Sequence, residues 1–303
     1  MTPVVVDTDP GIDDALALLL AWGSPELSVE ALTTVAGNVP IEHASINAWR
    51  LCALRRPDPE PILAQGAKGP LRRPLRTAKK YHGEDGLGDV PGWPEAPSRP
   101  APGFAIDVLI ERARVHGERL VIVALGPLTN LALALARDAT ALRGVGRIIA
   151  MGGAVDVPGN VTPDAEFNMH VDPDAARLVF EAGLPLTLVP LDATRQAVLT
   201  RGELEAALAR CPGPVADRVK AFTAQGFGEQ GDNRSAGLTL HDPLAMGVAI
   251  DPSFVACEGI RLTIGPDGQT RRAPGAPNCT VAMRVDRERF VATLLDRLCP
   301  PTA

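Results

Sequence analysis

The sequence predicts an α/β fold with a single open, mostly parallel sheet flanked by helices. Short apolar, β-branched runs alternate with amphipathic helical stretches through the first two-thirds of the 303 residues, which is typical of βαβ units. Several of these runs end in turns that contain glycine or aspartate, and such ends share one edge of a parallel sheet. We therefore expect the active site at the carboxyl ends of the strands.

The elements follow in order from the periodicity of apolar residues. Val4, Val5 and Val6 predict a buried strand, and apolar residues recur at helical spacing from Ile12 to Leu20 after a Pro-Gly turn. Further strands are predicted at 29–35, 61–64, 120–125, 147–151 and 184–189. Helices are predicted at 43–54, 103–116, 128–137 and 172–182, and the tail over 252–298 predicts two or three strands and a closing helix. We expect one domain, 1–303, with long loops near 66–102 and 226–239, the second of them mobile.

Composition and charge exclude several classes of protein. The net charge is −6 without a basic stripe, so we expect no nucleic-acid polymer as a partner. The five cysteines are far apart and form no CxxC pair, which argues against a disulfide framework and a structural zinc site and favours a reducing, cytoplasmic location. We expect no signal peptide, because the N-terminus enters a strand directly without a basic and then an apolar region. We expect no membrane span, because the longest apolar stretch is broken at Gly126 and Pro127.

The most informative motif is DTDPGIDDA, which begins at Asp7. It places Asp7, Asp9, Asp13 and Asp14 at the junction of the first strand and helix. Acids at a helix N-terminus can be explained by the helix dipole alone. Four carboxylates on one turn repel each other, however, so we favour a hard cation with oxygen ligands.

A second polar stretch, over 152–168, follows a predicted strand. It offers Asn160, Glu166 and Asn168. Amide and carboxylate groups suit the recognition of vicinal hydroxyls, because each hydroxyl both donates and accepts. The alternative is a loop whose side chains satisfy its own backbone, and the sequence leaves the two interpretations open.

The histidines divide into two groups. His241 and Asp242 begin a predicted helix, either as a cap with an incidental histidine or as a titratable group beside a metal carboxylate. His82 lies in the first long loop, where it is either solvated or a second functional imidazole. The other three histidines are given no role.

Together these motifs resemble the calcium-dependent nucleoside hydrolases of the inosine-uridine preferring type. The opening motif, the TTVAGN stretch over 33–38, the GNVTPDAEFN stretch over 159–168 and the HDP motif over 241–243 match in that order. The resemblance covers nearly the whole chain. It implies a Rossmann-like nucleoside hydrolase fold and hydrolysis of ribonucleosides to ribose and free base, in nucleoside salvage. It also implies a homodimer or homotetramer.

The resemblance implies a role for each matching residue. Asp9, Asp14, Asp242 and the backbone carbonyl of Leu125 would hold one Ca²⁺, and Asp9 would also act as general base toward a calcium-bound water. Asn38 would sit near the reacting centre. The ribose hydroxyls would be held by four residues, Asp13, Asn160, Glu166 and Asn168. His82 and His241 would line the nucleobase side, with His241 suited to assist the leaving base.

One departure concerns the leaving base. The segment 221–239 contains no tyrosine, although some members of the family place one there, and Phe227 and Arg234 occupy it instead. The only tyrosine, Tyr81, lies elsewhere in the sequence, so the acid that assists the leaving base stays open. His82 is found in members that accept pyrimidine nucleosides, so we expect uridine and cytidine to be favoured, with inosine possible.

Two other functions remain alternatives. A metal-dependent phosphohydrolase would also place acids at a strand end, but it would normally need Mg²⁺, a distal lysine and further acids. A non-catalytic nucleoside- or ribose-binding protein would retain the pocket and lose the chemistry. The absent tyrosine is the only feature that favours the second.

Overall fold

A nine-stranded sheet runs through the centre of the structure. The computed structural model describes residues 1–95, 103–229 and 237–299. The strands of the described residues are β1 (Thr2–Thr8), β2 (Leu27–Thr34), β3 (Ile62–Gln65), β4 (Gly103–Phe104), β5 (Val121–Ala124), β6 (Arg147–Met151), β7 (Leu186–Val189), β8 (Val198–Leu199), β9 (Leu238–Thr239), β10 (Val255–Ile260), β11 (Leu262–Ile264), β12 (Thr270–Arg272) and β13 (Cys279–Val285). The order of the central sheet is β10-β13-β7-β6-β5-β1-β2-β3-β4.

All neighbours in this sheet are parallel except for β10, which pairs with β13 in the antiparallel sense. The pairs β8–β9 and β11–β12 form two small antiparallel ribbons outside it. The predicted open, mostly parallel sheet is therefore confirmed.

Helices cover both faces of the sheet. They are α1 (Ile12–Trp22), α2 (Ile41–Arg55), α3 (Lys79–His82), α4 (Ala105–His116), α5 (Thr129–Arg137), α6 (Ala139–Arg143), α7 (Phe167–Val171), α8 (Pro173–Glu181), α9 (Leu191–Thr194), α10 (Arg201–Leu208), α11 (Pro214–Glu229), α12 (His241–Ile250) and α13 (Arg287–Leu298). Successive side chains of a strand point to opposite faces. Val4 and Val6 accordingly pack with α1, α12 and α13, and Val5 packs with α4, α5 and α8.

The strand order places the candidate site. From β1 the chain crosses to β2 on one side, and β5 returns to pair with β1 on the other. In open α/β sheets such a reversal leaves a crevice at the carboxyl ends of the strands. The turns that follow β1, β2, β5, β6 and β7 all open at this edge, as the sequence predicts.

Three parts of the sequence prediction need correction, and the first covers residues 226–298. In the stretch over 226–239, predicted as a mobile loop, the described residues continue α11 to Glu229 and form β9 at Leu238, and residues 230–236 lie outside the described residues. Buried packing of Phe222 and Gly226 outweighs the low helix propensity of glycine there. Arg234 lies outside the described residues. The tail 252–298 contains four strands, β10 to β13, rather than two or three.

The second correction concerns the loop over 66–102. Its described part includes a short helix, α3, which carries His82.

The third correction concerns the cysteines. Cys211 and Cys299 form a disulfide, although they are 88 positions apart in the sequence. Spacing could not reveal this pair, because the turn after α10 and the end of α13 meet only in the fold.

Candidate active site

Four carboxylates meet where β1 leads into α1. Asp9, Asp13 and Asp14 belong to this junction, and Asp242 comes from the first turn of α12, which packs beside α1. All four residues are more than nine-tenths buried. One carboxylate oxygen each of Asp13, Asp14 and Asp242 lies within 4.8 Å of the other two. The first motif thus supplies three carboxylates of the cluster, and the fold adds the fourth, Asp242.

Asp14 is the carboxylate that caps the helix. Its Oδ2 accepts hydrogen bonds from the Gly11 amide at 2.9 Å and from Asn38 Nδ2 at 3.1 Å. Its Oδ1 accepts from the Thr8 hydroxyl at 2.6 Å. Capping therefore explains Asp14, and it leaves the burial of the other carboxylates unexplained.

Asp9 and Asp13 each carry an oxygen that the rest of the site does not satisfy. The Asn38 amide donates to Asp9 Oδ2 at 2.6 Å. Asp9 Oδ1 and Asp13 Oδ1 are buried without a hydrogen-bond partner among the described residues. Such oxygens are costly to bury unless a ligand supplies a partner. A hard cation is the partner that suits oxygen atoms of negative charge.

Two glycines make room for Asp9. A Cβ atom at Gly37 would lie 2.1 Å from Asp9 Oδ2, and one at Gly126 would lie 2.5 Å from Asp9 Oδ1. No side chain fits at either distance. The turns after β2 and β5 therefore need glycine, because their backbone passes directly against this carboxylate.

The electrostatics of the cluster are those of like charges held together. Burial, with the charge of Asp14 next, raises the pKa of Asp13 to about 8. Burial also raises the pKa of Asp9 well above its ordinary range, with contributions from Asp14 and Asp13. The pKa of Asp242 is raised by burial and then by the charges of Asp13, Asp14 and Asp9. A bound cation would relieve this repulsion.

Asp7, the fourth acid of the motif, has different partners. Its Oδ1 accepts from the Thr33 hydroxyl at 2.6 Å and from Asn130 Nδ2 at 2.8 Å. Burial raises the pKa of Asp7 to about 7, although these two hydrogen bonds lower it. Asn130 also donates to the Thr34 carbonyl. Asp7 therefore ties β1 to β2 and α5 rather than joining the carboxylate cluster.

The polar loop after β6 is folded around its own backbone. Glu166 accepts from the amides of Gly153, Asn168 and Met169 at 2.9, 2.9 and 3.2 Å, and so caps α7. Burial raises its pKa, while these amides act in the opposite direction. Asn160 Oδ1 accepts from the Phe167 amide at 2.9 Å.

Asn168 connects this loop to the turn after β5. Its Nδ2 donates to the carbonyl oxygens of Leu125 at 2.6 Å and Met151 at 3.2 Å. A carbonyl oxygen has two lone pairs. The Leu125 carbonyl can therefore accept from Asn168 and still serve as a ligand.

Two imidazoles flank the cluster. The Ile12 amide donates to His82 Nδ1 at 3.1 Å, and His82 Nδ1 lies 3.9 Å from Asp13 Oδ1. His241 Nδ1 is 2.8 Å from the Thr194 hydroxyl oxygen. Burial lowers the pKa of both histidines to about 4, with Arg195 and His82 adding to the effect at His241. Both rings are therefore neutral near pH 7.

These groups open on one cavity of about 670 Å³, within the range of small-molecule sites. Nine of the eleven predicted site residues line it, namely Asp13, Asn38, His82, Leu125, Asn160, Glu166, Asn168, His241 and Asp242. Asp9 and Asp14 lie behind this lining, fully buried. The sequence prediction that these motifs converge is confirmed by their positions, while their individual roles stay predictions.

Some lining residues were not predicted. Tyr81, which the sequence places away from the 221–239 segment, lines the cavity beside His82, with the ring centroids 5.0 Å apart. Arg195 also lines it and donates to the Pro158 and Gly159 carbonyls. The neighbouring His82 was the only signal for Tyr81, and the sequence held no signal for Arg195.

Comparison with known proteins gives a consistent picture. Residues 4–292 match the family described as inosine-uridine preferring nucleoside hydrolase. The pyrimidine-specific ribonucleoside hydrolase RihA of Salmonella agona (strain SL483) is 37% identical over an alignment of 312 positions, gaps included, which covers 98% of each chain.

Solved structures agree at the level of the fold. A plant nucleoside hydrolase, PpNRh1, superposes with a TM-score of 0.91 at 37% identity over 99% of both chains. A purine-preferring ribonucleoside hydrolase from Gardnerella vaginalis superposes with a TM-score of 0.92 at 32% identity over 98% of both chains.

Proposed function

The chain belongs to the inosine-uridine preferring nucleoside hydrolase family and is a ribonucleoside hydrolase, and we propose that it favours pyrimidine nucleosides, uridine and cytidine, and uses Ca²⁺. Inosine is the expected weaker substrate. One observation carries the proposal. A single cavity places a buried carboxylate cluster beside Asn38 and next to two neutral imidazoles, His82 and His241.

The donor set fits a calcium ion. We propose that Asp9, Asp14, Asp242 and the Leu125 carbonyl hold it. Asp13, which has a carboxylate oxygen within 4.8 Å of those of Asp14 and Asp242 and lines the cavity, would lie beside the ion and bind the substrate. The unpartnered oxygens of Asp9 and Asp13 support this fit. A bound ion would orient the sugar diol and make the attacking water more acidic.

The side chains of this chain divide the reaction between them. Water adds to the anomeric carbon, the bond to the base nitrogen breaks with its electron pair, and the products are ribose and the free base, whose nitrogen gains overall the proton that the water loses. We assign Asp9 to accept the proton of the attacking water. The sugar gains positive charge in the transition state, as in glycoside hydrolysis, so the neighbouring carboxylates stabilise it. Asn38 lies near the reacting centre.

Four residues that line the cavity are assigned to bind the substrate. We assign Asp13, Asn160, Glu166 and Asn168 to the ribose hydroxyls, because their oxygens and amides can accept and donate there. His82 and His241 donate hydrogen bonds to the nucleobase as it departs.

The pyrimidine preference rests on two supports. His82 occupies the position that resembles pyrimidine-accepting members of the family, and the RihA relative is described as pyrimidine-specific. The Gardnerella vaginalis relative is described as purine-preferring, so substrate ranking is the deciding measurement. Tyr81 beside His82 adds bulk to this side of the cavity.

A reducing-sugar assay over uridine, cytidine, inosine, adenosine and guanosine, with and without a calcium chelator, tests the proposal. We expect ribose release from uridine and cytidine that chelation abolishes and added Ca²⁺ restores. Ribose release that survives chelation would overturn the metal assignment, and a ranking led by purines would overturn the base preference. Inorganic phosphate release from nucleotides would instead favour the phosphohydrolase alternative.

We also propose a domain organisation, an oligomeric state and a cellular location for the chain. We propose one domain over 1–303, because the central sheet takes strands from both ends of the chain. We propose a homodimer or homotetramer, which light scattering coupled to size exclusion tests. No helix among the described residues is long and apolar enough to cross a membrane. We propose a cytoplasmic location, which cell fractionation tests.

A further inference from the structure

Thr194 is a buried hydroxyl that contacts an imidazole of the cavity. It is the last residue of α9 and is 0% exposed. Its Oγ1 lies 2.8 Å from His241 Nδ1. Neither the sequence motifs nor the assigned site residues include Thr194.

The direction of this hydrogen bond follows from the hydrogen count. A hydroxyl has one hydrogen to donate, and a buried one is rarely left unused. Among the described residues, His241 Nδ1 is the hydrogen-bond partner of the Thr194 hydroxyl. If Nδ1 carried the ring proton, the hydroxyl hydrogen would have no acceptor there. Thr194 therefore donates to Nδ1, and the proton of the neutral ring is on Nε2.

We infer that Thr194 is a positioning residue that holds His241 as the Nε2–H tautomer, aimed at the nucleobase. The inference rests on the proposed function. With Nδ1 engaged by Thr194, Nε2 is the ring nitrogen that remains for the cavity that His241 lines. It presents an N–H donor to a nucleobase, whose carbonyl oxygens and ring nitrogens are acceptors.

His82 is held in the same way by a different group. Its Nδ1 accepts from the Ile12 backbone amide. A backbone N–H can only donate, so the proton of this neutral ring must also be on Nε2. The two imidazoles thus present the same kind of donor, one fixed by a main-chain amide and the other by a side-chain hydroxyl. Only the second can be removed by substitution.

The segment that carries Thr194 is itself firmly attached. Asp192 accepts from the amides of Val155 and Asp156 at 2.9 and 2.8 Å, and Arg195 donates to carbonyls of the same loop. The hydroxyl is therefore placed by a segment anchored on both sides of it. A fixed hydroxyl can define the plane of the His241 ring as well as its tautomer.

The test compares T194V, which removes the hydroxyl at nearly constant shape, with T194S, which restores it. Thr223→Val is the matched control, because Thr223 is also buried and, within the part of the chain that the structure describes, its hydroxyl bonds only to carbonyls of α11. In T194V we expect kcat to fall about tenfold, with KM within about twofold of the wild-type value. T194S should recover most of kcat, and T223V should leave both constants unchanged.

A second readout is independent of turnover. The chain has five histidines, so nitrogen-proton correlation NMR can resolve the His241 ring, with H241N as the assignment. We expect Nε2 to be protonated in the wild type and a mixture of tautomers in T194V. A wild-type ring protonated at Nδ1, or T194V kinetics equal to those of T223V, would overturn the inference. A wild type that releases no ribose would instead refute the proposed function, and the NMR result would still decide the role of Thr194.

Discussion

Asp9 is a carboxylate with only one of its two oxygens hydrogen-bonded among the described residues. Oδ2 receives the Asn38 amide, while Oδ1 is buried without a partner among the described residues. Asp14, by contrast, has both of its oxygens hydrogen-bonded. Asp9 therefore has an oxygen available to take a proton or to bind a cation, whereas Asp14, also a proposed ligand, stabilises the turn as well.

We therefore predict that Asp9→Asn reduces kcat by about a thousandfold or more and leaves the protein folded, because the amide keeps the shape but cannot take a proton from water. The melting temperature should not fall, since one of the mutually repelling charges is removed. Ribose release and thermal unfolding measure the two effects. Asp296→Asn, an exposed aspartate on α13, is the control and should keep full activity. Unchanged ribose release in D9N would remove the proposed base.

At the scale of elements, one ion pair attaches α10 to α13. Glu203 Oε2 accepts from Arg287 Nη2 at 2.6 Å, and it also accepts from the amide and hydroxyl of Thr200, which caps α10. The hydrogen bond from Arg287, followed by those from Thr200, lowers the pKa of Glu203 to about 2. The same carboxylate therefore serves a helix cap and an interhelical contact.

The pKa shift gives the pH dependence of this contact. Because the pKa in the folded state is depressed, the stabilisation is fully present above the unfolded value of about 4.5 and is lost as the pH falls toward 2. We predict that Glu203→Gln lowers the melting temperature by about 2–4 °C at pH 7, and that the deficit narrows below about pH 4.5. Glu205→Gln, an exposed change on the same helix, should show no such dependence. A deficit that is constant with pH would contradict the ionic origin.

At the scale of the whole molecule, the sequence predicted what depends on local pattern. The apolar periodicity of Val4 to Val6 and of the residues after Ile12 predicted the first strand and helix. The family resemblance predicted that Asp242 lies beside them. The predicted ends of most strands and helices agree with the structure within one to three residues. Convergence of distant turns followed from parallel topology alone.

What the sequence could not give are the contacts made only in the folded chain. Tyr81 is beside His82 on a short helix, where no periodicity could place it in the cavity. Thr194 meets His241 across a gap of 47 positions, and Cys211 meets Cys299 across 88. These pairs depend on how α9, α12 and α13 pack on the sheet, and single-residue patterns carry no record of that packing.

The carboxylate cluster links folding to metal binding for the molecule as a whole. Burial of like charges at Asp13, Asp14 and Asp242 opposes folding without a cation. A ligand that binds only the folded state stabilises it, by about 2.7 kcal/mol at a hundred times its Kd. We predict that Ca²⁺ added to the chelated protein raises the melting temperature by several degrees. In Asp242→Ala the rise in melting temperature should be much smaller, and the Ca²⁺ affinity measured by calorimetry should be weaker, because a charged oxygen ligand is lost.

Asp251→Ala is the matched control, since Asp251 lies at the other end of α12 and its charge faces Arg289 at the surface. It should retain the full calcium response even if its own melting temperature is lower. Mg²⁺ at the same concentration should produce a smaller rise, because it prefers a tight octahedron and gives up its water reluctantly. Equal calcium affinity in D242A and the wild type would contradict the role of Asp242. The carboxylates of the first and last thirds of the chain would then have to be joined for a reason other than metal binding.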